Sequence, residues 1–507
     1  MKNNKLTDSL QLVIFGASGD LSQTKLIPSL YKLFKRGRLP EEFFLLGADH
    51  HFENRAEFLR NLSETVREIL PETFETALWE KFAKKLNYLQ IDFEDEAGYK
   101  ELSRKLDKKE KSYRSSRQRI YYLATAPGFF PLITEKLDNF DLAGSDGADW
   151  PRLVIEKPFG YDLESAVEFN RKIYRVFPED NIYRIDHYLG KEMIQNILTM
   201  RFANMIFEPI WNKNYIDNIQ IISTEKQGIK SRGKYYDKSG ALRDMIQSHL
   251  LQMLALIAME PPENMATESI LQEKIKLLKS LAETPLLNLE DNLVLGQYSK
   301  LERPEKYIPG YQEEDKIKPD SSTETFAAVK FNINNLRWRG VPIYLKTGKR
   351  LEKKNTKIFI QFKSDFHPSF LDNNEPEANL LIIKVQPREG VSLQFNAKKP
   401  GSQNEIVPVF MDFCHKAPRD LQSTPEAYEE LLAALIRGDQ SLFTHWKEVK
   451  NSWLFIDQLR EFIDTREIKP EKYLPGSSGP ESMTRLVARD HRQWWDDAAL
   501  EEQEENL

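Results

Sequence analysis

Between positions 184 and 192 the chain reads Arg184-Ile185-Asp186-His187-Tyr188-Leu189-Gly190-Lys191-Glu192. This crowds a carboxylate, an imidazole, a phenol and an ammonium beside a glycine able to end an extended segment. Apolar residues then recur at helical intervals, at Met193, Ile194, Ile197 and Leu198, with Arg201 following. The spacing predicts a strand end, a tight turn and a helix from about Lys191. The first turn of a helix presents free backbone N–H groups and the positive end of its dipole, which suits an anion. Lys191 and His187 would add charge and donors there. Asp186, acidic in a basic neighbourhood, is expected to serve a different partner.

A second site with chemical meaning lies near the N-terminus. Leu12-Val13-Ile14-Phe15 is a continuous apolar run, as in a buried parallel strand, and leads into Gly16-Ala17-Ser18-Gly19-Asp20-Leu21. Strand, glycine turn and helix together place backbone N–H groups against a pyrophosphate. Gly16 would allow the sharp turn and Gly19 the close approach, although the pair departs from G-x-G-x-x-G. A third candidate is Lys157. It follows the apolar run Arg152-Leu153-Val154-Ile155-Glu156 and precedes Pro158, which holds it extended. Met245 and Met253 flank His249 at one helical turn, so the imidazole belongs to an apolar face, where a core histidine bonded to backbone is the ordinary reading. Asp244, five residues earlier and roughly 140° around an α-helix, is not expected on the same side.

These residues need elements to hold them. Phe43-Phe44-Leu45-Leu46-Gly47 and Arg119-Ile120-Tyr121-Tyr122-Leu123-Ala124 read as further strands of the first domain, and Ala124 and Lys157 fall at carboxyl strand ends, where doubly wound sheets receive ligands. Beyond Arg201 the periodicity is mixed: strands at Ile219-Gln220-Ile221-Ile222-Ser223 and 380–386, and a helix over 241–259. Helices followed by many strands indicate an α+β domain.

Length and composition bound the rest. At 507 residues, two to four domains are expected. The formal net charge of −6 argues against general attraction to nucleic acid, so an anionic substrate needs a local cation cluster. The single cysteine, Cys414, excludes an internal disulfide and fits a reducing compartment. Residues 1–10 lack the apolar core of a signal peptide, and no apolar run approaches the ~20 residues of a membrane span. A cytoplasmic protein is expected, with neither membrane nor nucleic-acid partners and no metal.

In this order the stretches resemble the glucose-6-phosphate dehydrogenase family from about Leu12 to Gly479. The likeness is carried by Gly16-Ala17-Ser18-Gly19-Asp20-Leu21, Glu156-Lys157-Pro158-Phe159-Gly160, the nine residues from Arg184, Gly240-Ala241-Leu242-Arg243-Asp244-Met245, His249-Leu250-Leu251-Gln252, Leu345-Lys346-Thr347-Gly348-Lys349-Arg350-Leu351 and Pro425-Glu426-Ala427-Tyr428-Glu429. The resemblance implies oxidation of glucose 6-phosphate at C1 to the lactone, the first step of the oxidative pentose phosphate pathway, with reduction of a nicotinamide dinucleotide, usually NADP. It also implies a Rossmann-type α/β domain (1–185), then a larger α+β domain with a mainly antiparallel sheet (186–490), an acidic tail (491–507), and a homodimer or homotetramer formed through that sheet.

By the same resemblance His249 is the base and Asp186 its orienting carboxylate, an arrangement in which the carboxylate fixes the tautomer and stabilises the imidazolium. His187, Tyr188, Lys191, Lys349 and Lys354 would hold the phosphate. Glu225 and Asp244 would accept from sugar hydroxyls, and Lys157 would reach both substrate and cofactor. The cofactor would meet Gly16, Ala17, Ser18, Gly19, Asp20, Leu21, Lys25, Asp49, His50, Ala124 and Lys157. One departure bears on cofactor choice. NADP-using members commonly end the second strand Gly-x-x-Arg, whereas this chain has Gly47-Ala48-Asp49-His50 with His51 following. Aspartate there is the residue type that bonds a free ribose 2′-hydroxyl, so NAD use stays open beside NADP. Two other departures, Ala126 before Pro127 and Ser248 before the base, remove no reacting group. A catalytically silent dinucleotide-binding protein is the rival from another class. It would tend to lose the base or its partner, and both are present.

Overall fold

The apolar runs of the first third form one sheet. β1 (Ser9–Phe15), β2 (Glu42–Asp49), β3 (Leu86–Gln90), β4 (Arg119–Leu123), β5 (Arg152–Glu156) and β6 (Ile182–Ile185) lie in the order β6-β5-β4-β1-β2-β3, every pair parallel. All seven residues of β1 are buried, which is why the strand reads as a continuous run rather than an alternating one. Strand order reverses beside β1. The carboxyl ends of β1 and β4 therefore flank the crevice at which such sheets receive ligands.

The computed structural model describes residues 9–113, 118–144, 151–303, 305–364, 376–402, 405–414 and 425–495. The chain divides into two compact units: residues 1–192, 264–271 and 424–450 make the first, and 193–263, 272–423 and 451–507 the second. Two stretches distant in sequence thus return to the first unit. The later one brings a helix, Ala427–Arg437, and a short strand, Phe443–Thr444, that pairs antiparallel with β6 and covers its free edge. Sequence explains that helix well. Alanine and leucine fill it, Glu429 and Glu430 occupy its first turn, and Gly438 ends it in the left-handed region at φ 78°. The guanidinium of Arg152 on β5 donates to its final carbonyls, Leu435 O at 2.6 Å and Ile436 O at 3.1 Å. A Cβ on Gly438 would stand 2.5 Å from Arg152 Nη2.

The second unit is built on a nine-stranded sheet. Its strands are β7 (Ile216–Thr224), β8 (Leu293–Tyr298), β9 (Phe326–Asn332), β10 (Pro342–Gly348), β11 (Asn355–Phe362), β12 (Leu380–Gln386), β13 (Gly390–Lys398) and β14 (Ile406–Cys414), with Glu471–Tyr473 at one edge. They lie in the order β14-β13-β12-β11-β7-β10-β9-β8 and then the edge strand. Pairing is antiparallel except at β7–β10 and at the edge strand on β8, so the sheet is mainly antiparallel.

Two expectations need correction here. The stretch from 241 to 259 is not one α-helix. Leu242–Leu250 winds as a π-helix before continuing as the α-helix Leu251–Ala258, and Gly240 breaks the chain ahead of it at φ 63°, ψ −178°. Nor does the acidic tail begin at 491. Arg492 makes two 2.7 Å bonds to Asp217, and the indole N–H of Trp494 donates to Met483 O. Trp494 and Trp495 are buried in the core of the second unit with Tyr344, Phe359 and Tyr473. Net charge misled because two adjacent indoles outweigh it by burying large apolar areas. Residues 496–507 lie outside the described residues.

Candidate active site

In the first unit the turn after β1 is a cradle that only glycine permits. Gly16 has φ 84°, its N–H donates to Ala48 O at 2.9 Å, and a Cβ there would stand 2.6 Å from Ala124 O. Gly19 N–H turns back to Gly16 O at 3.1 Å, and Ser22 Oγ donates to the same oxygen at 2.8 Å. Chain therefore passes tightly over the carboxyl ends of β1 and β4, with a π-helical turn Ser22–Leu26 and the helix Ile27–Lys35 behind it. A backbone curled this closely suits a pyrophosphate. Within the expected cofactor set, Ala17 turns its side chain into the core, leaving only its backbone to a ligand, while Asp20 and Lys25 are exposed.

Asp49 at the end of β2 is buried and already bonded. Its Oδ2 accepts from Ser18 N–H at 2.7 Å, and its Oδ1 from Tyr88 OH at 2.6 Å and His51 N–H at 3.0 Å. Burial pushes the carboxyl up, but Tyr88 and the two backbone donors outweigh it and hold the group below the usual carboxylate range. Asp49 thus braces the glycine turn to β2. His50 and His51 are exposed beside it.

The opening nine residues also resolve in the first unit. Arg184, on β6, is buried and donates to Asn170 Oδ1 at 2.7 Å and Glu179 Oε1 at 2.8 Å, which pins the strand rather than a ligand. Asp186 is buried, and its Oδ1 accepts from Tyr188 N–H at 3.0 Å, a side-chain-to-backbone bond that sets the turn. On that turn the rings of His187 and Tyr188 lie 4.9 Å apart, and Lys191 Nζ stands 4.6 Å from the Tyr188 ring centre. The fold therefore gathers His187, Tyr188 and Lys191. Gly190 serves a different purpose from ending an extended segment, since a Cβ there would stand 2.5 Å from Ala427 O. The helix that follows is Glu192–Phe202. Lys157 is half-buried just past β5.

In the second unit the parallel pair β7–β10 places its ends together, with Thr224 opposite Gly348. The next residue of each strand is functional in type. Lys349 Nζ lies against Glu225 Oε2 and 3.9 Å from Asp244 Oδ2. Asp244 Oδ1 also accepts from Tyr235 OH at 3.3 Å and faces Arg232 at 3.8 Å. Lys349 thus joins the two carboxylates expected to accept from sugar hydroxyls, while Lys354 lies exposed on the connection to β11. His249 is 1% exposed in the π-helical segment. There i→i+5 bonding replaces the α-helical winding, so the 140° separation from Asp244 reckoned for an α-helix does not apply.

Sequence reading passed over Tyr88, Tyr235 and Tyr428, whose hydroxyls each bond a carboxylate near these residues. No local pattern marks them. Only for Tyr428, inside a stretch matching the family, was a signal present.

Comparison with known proteins places the two halves of the chain in one family. The family model for the NAD binding domain of glucose-6-phosphate dehydrogenase matches residues 13–196, and that for its C-terminal domain matches 198–495. A glucose-6-phosphate 1-dehydrogenase of Bacillus subtilis is 42% identical over 98% of this chain and 100% of its own length. One of Aggregatibacter actinomycetemcomitans is 43% identical over 95% of this chain and 96% of its own. Among solved structures, a glucose-6-phosphate dehydrogenase in complex with its substrate glucose-6-phosphate aligns with TM-score 0.87 at 33% identity, covering 97% of this chain and 99% of that one. The Mycobacterium avium enzyme aligns with TM-score 0.80 at 34% identity, covering 96% and 99%. With both halves matched end to end, the chain belongs to the glucose-6-phosphate dehydrogenase family.

Proposed function

We propose that the protein oxidises the C1 hydroxyl of glucose 6-phosphate to 6-phospho-D-glucono-1,5-lactone. The observation that carries this reading is the turn 186–191, which fixes a buried carboxylate and gathers an imidazole, a phenol and an ammonium within one turn of chain. His187, Tyr188 and Lys191 hold the phosphate. Glu225 and Asp244, with Lys349 between them, take the sugar hydroxyls. A dinucleotide held by the turn at Gly16 supplies the hydride acceptor. His249 removes the C1 hydroxyl proton as the C1 hydrogen leaves with its electron pair, and Asp186 holds the imidazole in the required tautomer and stabilises its charged form. Lys157, half-buried just past β5, would reach both substrate and dinucleotide.

NADP is the first-choice cofactor in this reading. Its support is that Asp49, the residue that would favour NAD, is engaged by Ser18, His51 and Tyr88. A homodimer or homotetramer through the larger sheet and a cytoplasmic location go with the family. In favour of the former, the outer strand β14 leaves Met411 and Phe413 exposed. No helix among the described residues is long and apolar enough to cross a membrane.

The test is a nicotinamide absorbance assay with glucose 6-phosphate and each cofactor in turn, run on the wild type and His249→Asn. Wild type should turn over with a higher kcat/KM for NADP than for NAD. His249→Asn should bind substrate nearly normally yet lose about 10²–10⁴ in kcat. Near-normal turnover by the variant would sink the base assignment, and a preference for NAD would sink the cofactor choice.

A further inference from the structure

The reaction as proposed leaves one carboxyl beside it unused. Glu156 ends β5, immediately before Lys157, and two phenols donate to its Oε1: Tyr122 from β4 at 2.6 Å and Tyr428 from the helix Ala427–Arg437 at 3.2 Å. Tyr122 is buried, while Glu156 and Tyr428 are half-buried. Among the described residues, four groups act on the carboxyl: Tyr122 on β4, Tyr428 on the helix, Lys157 just past its own strand and Asp186 beyond β6. Burial pushes it up most. The two phenols and Lys157 pull it down, Asp186 pushes it up again, and the group comes to rest at about 7.

The helix holding Tyr428 is itself fastened on both sides. Glu426, Glu429 and Glu430 pair with Lys32, Arg36 and Arg38, on or just past the helix Ile27–Lys35. Its first carbonyl, Ala427 O, fills the space that Gly190 leaves in the catalytic turn. A single helix therefore ties together the dinucleotide side, the end of β5 and the turn 186–190. Tyr428 is its only side chain bonded to the Glu156 carboxyl among the described contacts.

We propose that Glu156 is a positioning residue of the dehydrogenase reaction: clamped by Tyr122 and Tyr428, its carboxyl holds Lys157 and the Asp186 turn in register, and its charge adds to the field that Asp186 presents. This rests on the reaction proposed above. Ionised, Glu156 makes the surroundings of Asp186 one unit more negative, which stabilises the positive charge that develops on the base. Protonated, it keeps the frame but withdraws that charge. The rate should therefore rise with pH through the Glu156 ionisation, separately from that of the base.

Glu156→Gln is the discriminating variant, because an amide oxygen still accepts from both phenols while the charge is gone. Its kcat should match wild type near about pH 6 and fall about tenfold behind near about pH 8, with both KM values within about threefold. Tyr428→Phe removes a donor that lowers the carboxyl, so its kcat–pH limb should move to higher pH. Glu156→Asp, which restores charge on a shorter stem, should recover part of the rate. Independently of activity, pH-difference infrared spectra of the wild-type protein should show a protonated carboxyl band that disappears across neutrality and is missing from Glu156→Gln. Overlapping pH profiles for wild type and Glu156→Gln, or the absence of that band, overturns the proposal. A wild-type protein inactive on glucose 6-phosphate overturns the function itself, and does so without altering the infrared result.

Discussion

A carboxylate at the end of the second strand of a dinucleotide fold ordinarily accepts from the free ribose 2′-hydroxyl and repels a phosphate there. Asp49 has the right type and place, but three of its roughly four acceptor sites go to Ser18, His51 and Tyr88. Residue identity was legible in the sequence and its role was not, because Tyr88 arrives from β3, 39 positions away. The contacts make Asp49 a brace common to both cofactors. Asp49→Asn, which puts amide hydrogens where one of Ser18 and Tyr88 donates and leaves an oxygen for the other, should weaken NAD and NADP binding alike, by severalfold, with their ratio unchanged within about threefold. Fluorescence titration with each dinucleotide checks this, and a tenfold swing toward NADP would restore Asp49 as a specificity residue. Since the folded carboxyl is lowered, its stabilising effect is complete above the ordinary carboxylate range and is lost as pH falls through the folded value.

Among the elements, the strands of the first unit were readable because buried parallel strands are continuous apolar runs, and the glycine turn because only glycine adopts its geometry. The segment carrying His249 was readable as helix but not as π-helix, since apolar spacing near one turn does not separate the two windings. Gly240 is the local cause that can be tested. It sits at φ 63°, ψ −178°, a region held almost solely by glycine, and a Cβ would collide with the buried carboxyl of Glu324. That carboxyl accepts from Leu242 N–H at 3.2 Å and faces Arg460 at 3.3 Å, so it starts the π-helical segment from outside. Gly240→Ala should cost at least about 1–3 kcal/mol in unfolding free energy and lower kcat more than KM, because His249 moves with its segment. Denaturation and kinetics on the same preparation decide it. An unchanged midpoint would show that the break at Gly240 holds no strain.

For the whole molecule, what escaped the sequence was long-range closure. Glu225 and Lys349 meet because β7 and β10 are parallel neighbours 124 residues apart in register, and nothing local encodes that pairing. Trp494 and Trp495 join the second core from within a stretch whose charge reads as solvated. The helix Ala427–Arg437 was legible as a helix, but its return to the first unit was not. Arg152 is one link in that return, a buried guanidinium spanning 283 positions to Leu435 O. Arg152→Ala should cost about 2–3 kcal/mol and expose the connection near Asp439 to protease, as read by urea unfolding and limited proteolysis. An unaltered urea midpoint would refute it.

That same closure bears on how the protein is made. While β1 to β6 leave the ribosome, the free edge of β6 has no partner until Phe443 and Thr444 are synthesised. The N-terminal sheet therefore carries an uncovered edge even where domain-by-domain folding from the N-terminus, the common order, has already assembled its six parallel strands. Its strand edge stays open through translation of the intervening residues, and an open edge is a template for pairing with another chain. Covering of that edge in the first unit is thereby tied to synthesis of residues 443–444, so that a product terminated before them would keep the edge of β6 open.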